Sequence, residues 1–442
     1  MKKSLLSFFV FALFSFSNAQ TTINVFNSAV FYDGYAGIVS QPVPTDAIRL
    51  TNARYTKKLT DAELNSFQNK ITLNVTIGAL CDNYDRLGSV HLAFVPKNQI
   101  SYTMNDPLIN RIEIARYITP FMNKNVSPTQ VPYTYNVNDL YSIFSDTAFR
   151  NLYDIWVELD VFGVPYAANT QISGCAGRND VFEGTLDFVT SNDSTITNNY
   201  NKILPLLDYS ILNNYNNTDV AGETVRLINF NLAENTTNAK FTIITTPHGS
   251  NSGGEEYVRR QNLVSMDNNL VLAFYPGGKS CEPYRMYNTQ GNGIYGAAPH
   301  TSSWWTSWNN WCPGDAVPIR SFSIPTLAAG NHTIKYEIPT AIFVDQQGEV
   351  YLSMYMQGLK QNLGVSDVST VDVSIFPNPT TDLVNVRSEK KVISISVYSI
   401  EGRKLMDAKG SKVDLTSYPT GTYILDILLE NGTQFKHKII KK

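Results

Sequence analysis

Alternation at period two recurs along this chain so densely that it constrains the fold more than any other feature. In residues 71–77, Ile71, Leu73, Val75 and Ile77 point one way while Thr72, Asn74 and Thr76 point the other, the signature of a half-buried strand. Further strand signals follow at Val90, Leu92 and Phe94, at Ile155, Val157, Leu159 and Val161, and over residues 241–245, 263–266, 269–275, 334–338 and 350–355. Helical patterns are confined to two short places. Thr60-Asp61-Ala62-Glu63 has capping-box spacing ahead of Leu64 and Phe67, and Asn138-Asp139 precedes Leu140, Ile143 and Phe144. Many strands without helical crossovers imply an all-β chain of antiparallel sandwiches, and 25 Tyr and 22 Phe among 442 residues suit it.

The ends and breaks of the chain set its compartment and its divisions. Met1-Lys2-Lys3, an apolar run over residues 5–16 and the small-residue exit Ser17-Asn18-Ala19-Gln20 read as a secretory signal peptide, residues 1–19. No later apolar run reaches bilayer length, so a soluble exported product with no membrane span is expected. Thirty-five basic against thirty-eight acidic residues leave a net charge of −3, which excludes a basic footprint for nucleic acid. The four cysteines, Cys81, Cys175, Cys281 and Cys312, all lie in the exported part and show no CxxC spacing, which favours two disulfides over a metal site; no metal and no cofactor are expected. A polar stretch over residues 190–201 and a second break at 364–370 divide the chain into expected domains at 20–194, 195–363 and 366–442.

Chemistry concentrates at three acidic places. Cys81-Asp82-Asn83-Tyr84-Asp85-Arg86 follows the first alternating strand as a charged loop on a rigid support. On the strand over residues 155–162, the face opposite the aliphatic stripe carries Trp156, Glu158, Asp160 and Phe162. The third place is Gly253-Gly254-Glu255-Glu256-Tyr257, with His248 close by in sequence. Trp304, Trp305, Trp308 and Trp311 crowd one loop ending at Cys312, and aromatic faces serve sugar rings as well as they plug cores. By pattern alone, Asp82, Asn83 and Asp85 read first as turn formers paired with Arg86.

Two resemblances sharpen this picture. Ile375-Phe376-Pro377-Asn378-Pro379, then Gly402-Arg403, Gly421-Thr422-Tyr423 and the basic terminus Lys436-His437-Lys438-Ile439-Ile440-Lys441-Lys442 resemble the C-terminal sorting domain of the type IX secretion pathway. That implies a small immunoglobulin-like sandwich serving as an export address, with the type IX machinery as partner and a destination outside a Gram-negative-type cell or on its surface. The Cys81-to-Arg86 loop, the segment from Ile114 to Phe121, the Glu158 strand, Glu256 four residues before Arg260, and Trp311-Cys312-Pro313-Gly314 with Ala316, Val317, Pro318 and Arg320 resemble the peptide:N-glycosidase F family. The resemblance implies two jelly-roll-like antiparallel β-sandwiches packed side by side, with the active site at their junction. It implies hydrolysis of the amide joining an asparagine side chain to the first N-acetylglucosamine of an N-linked glycan, with N-glycosylated proteins or glycopeptides as substrates, by a monomer.

Carried onto this sequence, the family pattern makes Asp85, Glu158 and Glu256 catalytic and Arg86 their neighbour. Arg86, Trp156, Asp160, His248, Glu255 and Trp308 become candidate substrate contacts, and the register between Glu255 and Glu256 is open by one. The resemblance implies a Cys281–Cys312 disulfide; the family's usual partner for Cys81 is absent, so Cys81–Cys175 is expected instead. Asp160 stands where the family has tryptophan, Trp308 where it has arginine, and about ten extra residues lie between Tyr166 and Val181, a length common for functional loops. The rival readings are a secreted carbohydrate-binding or adhesion protein and a glycoside hydrolase acting inside the glycan with paired carboxylates.

Overall fold

The structure, a computed structural model, describes residues 20–197, 200–213, 224–360, 373–388, 390–400, 403–430 and 434–442. The expected signal peptide, the break at 364–370 and Gly402 lie outside them. What is described is all-β, built from six sheets with antiparallel pairing along every strand.

The first sandwich packs two sheets face to face. One is ordered Thr21–Tyr32, Asp180–Ser191, Lys70–Ala79, Gln130–Asn136, and the other Ala47–Thr51, Arg54–Lys58, Tyr153–Val161, Leu87–Pro96, Asn110–Ile118. Alternation decides which side chains fill the space between them. Ile71, Leu73, Val75 and Ile77 from one sheet meet Ile155, Val157, Leu159 and Val161 from the other, all fully buried in a single core. The second sandwich sets Lys202–Asn213, Glu349–Lys360, Thr236–His248 and Arg320–Leu327 against Val225–Leu232, Gly330–Glu337, Asn262–Met266 and Asn269–Phe274 around its own core. The two sandwiches form one compact unit, and the residues from Gln361 onward a second.

In that second unit, a sheet of Val373–Phe376, Leu383–Ser388 and Lys412–Asp414 covers one of Lys404–Lys409, Val392–Ser399, Gly421–Leu429 and Gln434–Lys441. Its basic terminus is partly internal: the Lys441 ammonium donates to the carbonyls of Leu415, Thr416 and Tyr418, which satisfies a charge the fold has buried.

Two expectations change in detail. The polar stretch at 190–201 is not all linker, because the strand Asp180–Ser191 runs into it and the second sandwich opens at Lys202. Helical segments also exceed the two expected. Asp61–Ser66 carries the capping box from Thr60, and Asn138–Leu140 continues into Tyr141–Phe144, but Thr147–Leu152, Ala168–Gln171 and Ser302–Trp308 are helical as well. Each is too short to show a 3.6-residue period; Asp146 and Thr301 cap two of them through a side-chain oxygen.

The junction of the sandwiches runs along the edge strand Asn110–Ile118. Backbone bonds from Val317 to Arg116, from Ile118 to Asp315 and from Gly314 to Ile118 pair this edge with the segment after Cys312, covering an edge that would otherwise be open. Beside it Arg116, fully buried, donates two bonds to Glu113 and reaches across to Thr246 Oγ1 at 2.9 Å and the Tyr351 carbonyl at 2.8 Å. Glu113 also accepts from Ser353 of the second sandwich. A buried charge left without its partner is costly, so Arg116→Ala should destabilise the unit by about 3–5 kcal/mol. Chemical denaturation monitored by tryptophan fluorescence would measure this as a lower midpoint.

Candidate active site

The loop carrying Asp85 connects strands of opposite sheets, Lys70–Ala79 and Leu87–Pro96, and so crosses the end of the first sandwich. Asp82 shapes it. Its carboxylate accepts the Tyr84 and Val164 amides at 2.9 and 2.7 Å and pairs with the Arg86 guanidinium through Nε at 2.6 Å, while the Arg86 backbone exchanges bonds with Thr119. Arg86 therefore answers Asp82 directly and Asp85 only through space. Cys81, bonded to Cys175, ties the loop to the rim segment that includes the helix Ala168–Gln171. Cys281 is bonded to Cys312.

Glu256 arrives from the second sandwich on the turn after the strand Thr236–His248. Gly254 is required there, because a Cβ would sit 2.4 Å from the Gly249 carbonyl oxygen. Asn310 fixes the turn by donating to the carbonyls of Glu255 and Glu256, both at 2.8 Å. The two adjacent glutamates then part. Glu255 is buried, pairs with Arg260 and accepts the Ile342 and Phe343 amides at 2.9 and 3.0 Å. Glu256 faces the junction, accepting the Gly249 amide and the Tyr257 hydroxyl. Of the two it is Glu256 that lines the cleft, and Glu255 is corrected from substrate contact to organiser of its turn.

Asp85, Arg86, Asp160, His248 and Glu256 line one cleft between the sandwiches, about 720 Å³ in volume, together with Trp311, Glu349 and Tyr351. Glu158 does not, which corrects its expected place. It is fully buried behind Asp160, with one oxygen taken by Tyr102 (2.7 Å) and Arg111 (2.9 Å) and the other by Arg54 at 3.1 Å. Arg54 continues to Asp160 at 2.7 Å, so Glu158 reaches the cleft only through that guanidinium. Trp156 is likewise corrected: it packs against Leu50, Tyr102 and Ile109 in a small apolar cluster away from the cleft. Trp308 belongs to the helix Ser302–Trp308, and its side chain lies outside those described.

Burial dominates the electrostatics. It pushes Asp85 well above the ordinary carboxylate range, the Glu256 charge adds to the rise, and Arg86 opposes it. Glu256 is raised by burial and held back by the Tyr257 hydroxyl and Gly249 amide. The Asp85 Oδ2 is buried with no hydrogen-bond partner among the described residues. His248, with its ring centroid 5.5 Å from Trp311 and 5.6 Å from Tyr351, is pushed down to about 3 by burial and then by Arg116. It is a neutral wall of the cleft at ordinary pH. Glu349, opposite His248 in the strand register, had no signal in the sequence, since nothing local marks a residue for a cleft that distant strands create. Among the described residues no group of three or more His, Cys, Asp or Glu is arranged to hold a metal ion, and no helix is long and apolar enough to cross a membrane.

Residues 22–175 match the model of the Peptide-N-glycosidase F N-terminal domain, and residues 214–357 that of its C-terminal domain. The chain belongs to the peptide-N-glycosidase F family. Residues 374–442 match the Secretion system C-terminal sorting domain, which assigns this family member to type IX export, to the cell surface or beyond. Among solved structures, PNGF-II shares the fold at a TM-score of 0.58 and 21% identity, over 77% of this chain and 66% of that one. PNGase F, titled a glycosylasparaginase from Flavobacterium meningosepticum, aligns at a TM-score of 0.48 and 15% identity over 78% of this chain and 96% of that one. Beta-agarase D of Zobellia galactanivorans is 32% identical over 73 residues, which is 16% of this chain and 15% of that protein's length.

The raised pKa of Asp85 makes a stability statement. A carboxyl whose folded value lies above its unfolded value favours the fold at low pH, and that contribution is lost as pH rises through the folded value. Asp85→Asn, which cannot ionise, should raise the thermal midpoint relative to wild type at neutral pH and not near pH 3, as scanning calorimetry at the two pH values would show.

Proposed function

We propose that this protein is a peptide:N-glycosidase: it hydrolyses the amide between an asparagine side chain and the first N-acetylglucosamine of an N-linked glycan, releasing the whole glycan and leaving aspartate. The observation that carries the reading is that Asp85 and Glu256, from different sandwiches, meet in one cleft of a family member, partly buried and with raised carboxyl pKa values. Their environments divide the work. Two like charges side by side in one cleft oppose each other's ionisation, and the site gives donors to Glu256 but, among the described residues, none to Asp85 Oδ2. Glu256 is the carboxylate and Asp85 keeps the proton.

From that division a mechanism follows. Glu256 takes a proton from water as its oxygen adds to the side-chain carbonyl carbon of the substrate asparagine. Asp85 then gives its proton to the departing nitrogen as the C–N bond breaks, leaving a glycosylamine that loses ammonia in water. Proton transfer from Glu256 to Asp85 resets the pair. Arg86 supplies the positive field in which the oxyanion develops. Asp160, held by Arg54 with Glu158 behind it, accepts sugar hydroxyls, and Trp311 offers a ring face.

The test is a defined glycopeptide incubated with the protein and weighed afterwards. The amidase leaves bare peptide with aspartate in place of asparagine. A retained N-acetylglucosamine would mean cleavage within the glycan, and an unchanged mass would mean a binder. Asp85→Ala should lower the rate by about two to four orders of magnitude with the fold intact. Glu158→Gln, acting through Arg54, should cost less in rate and more in substrate affinity.

A further inference from the structure

A second basin adjoins the carboxylate cleft, sharing Tyr84, Phe121 and Tyr257 as a common wall, and encloses about 700 Å³. Its polar chemistry is different. Where the cleft carries Asp85, Asp160, Glu256 and Glu349, the basin is lined by neutral groups, chiefly carboxamides and the ring of Trp304. One wall is the rim helix Ala168–Gln171, fastened to the catalytic loop by the Cys81–Cys175 disulfide and by a 2.7 Å bond from Asn83 Nδ2 to Gln171 Oε1. The other is the irregular segment with Gln290, Gly291 and Gly293.

Hydrogen bonds inside the protein use only part of these amides. Gln171 Oε1 accepts from Asn83, and Gln290 Oε1 accepts from Asn123 at 3.3 Å, so the Nε2 of each glutamine keeps its donors without a partner among the described residues. Asn83, almost wholly buried, has an Oδ1 with no partner among them either. Two donors and a buried acceptor along one trough match the carbonyls and amide of a peptide backbone. Gly291 and Gly293 have open space where a Cβ would stand, so a chain laid along the trough can approach their main chain closely. The cleft next door supplies what a sugar uses, carboxylates for hydroxyls and rings for the apolar face.

Resting on the proposed activity, we propose that the neutral basin is the peptide subsite: it holds the backbone beside the glycosylated asparagine and reads no side-chain sequence, while the carboxylate cleft takes the glycan. Glycine and carboxamide contacts to main chain suit substrates whose sequences vary. The rim helix gives this chain that wall.

The experiment compares two substrates with the same glycan, one on a single terminally blocked asparagine and one within a longer peptide. The proteins are wild type and the near-isosteric variants Gln171→Glu and Gln290→Glu, which lose the amide donors yet keep the acceptor oxygens. The double variant should raise KM for the long glycopeptide about tenfold more than for the blocked asparagine. It should weaken calorimetric binding of the unglycosylated peptide by a similar factor. Equal losses on both substrates, or losses that grow with glycan size at fixed peptide length, overturn the inference; the second outcome would make the basin a sugar subsite. Should wild type release glycan from neither substrate, the proposed activity fails, and binding of the unglycosylated peptide still decides the subsite: unaffected binding in the double variant rejects it.

Discussion

The buried Glu113–Arg116 pair is the interaction on which the junction rests. Both charges sit where two sandwiches abut, and the guanidinium joins the first sandwich to Thr246 and Tyr351 of the second. A buried ion pair adds little net stability over an apolar pair of the same shape, but it tolerates only one arrangement of its partners. Here that arrangement fixes which residues face each other across the cleft. Thr246 precedes His248 by two residues and Tyr351 follows Glu349 by two, so the clamp sets the register of the strand ends that wall the site.

With the register fixed, desolvation governs the chemistry. Packing one sandwich's end against the other's removes water from Asp85 and Glu256, and the same burial makes His248 a neutral spacer. Glu158 is an instructive contrast: two residues from Asp160 on the same strand face, it is surrounded by Arg54, Arg111 and Tyr102 and faces no solvent. A carboxylate saturated by protein donors holds other groups in place; one deprived of them is available to a substrate. Asp82 and Asp85 divide in the same way within a single loop.

Much of the fold was legible because it is local. Period-two runs, the capping box at Thr60 and the strand that ends in the Asp85 loop each depend on neighbours within a few residues. The site was legible in part. The resemblance pointed to Asp85 and Glu256, which share the cleft, and supplied the Cys281–Cys312 pairing found in the structure. Glu158 and Trp156 were misplaced because alternation tells which face of a strand a residue takes, not what covers that face, and Glu255 because adjacent residues of a turn part only when the turn is folded.

The amino-acid sequence by itself determined the sheet-forming pattern, the short-range caps and turns, the export signatures and the set of acidic residues available for chemistry, since these follow from side-chain type and near-neighbour spacing. Tertiary structure alone decided which of those acids meet. Convergence of Asp85 with Glu256 spans well over a third of the chain and depends on stacked sheets, a shared edge strand and the withdrawal of Glu158 and Glu255 into contacts with protein donors. Solvation and through-space charge, which no linear pattern carries, separate the groups left facing the cleft from those consumed in holding them.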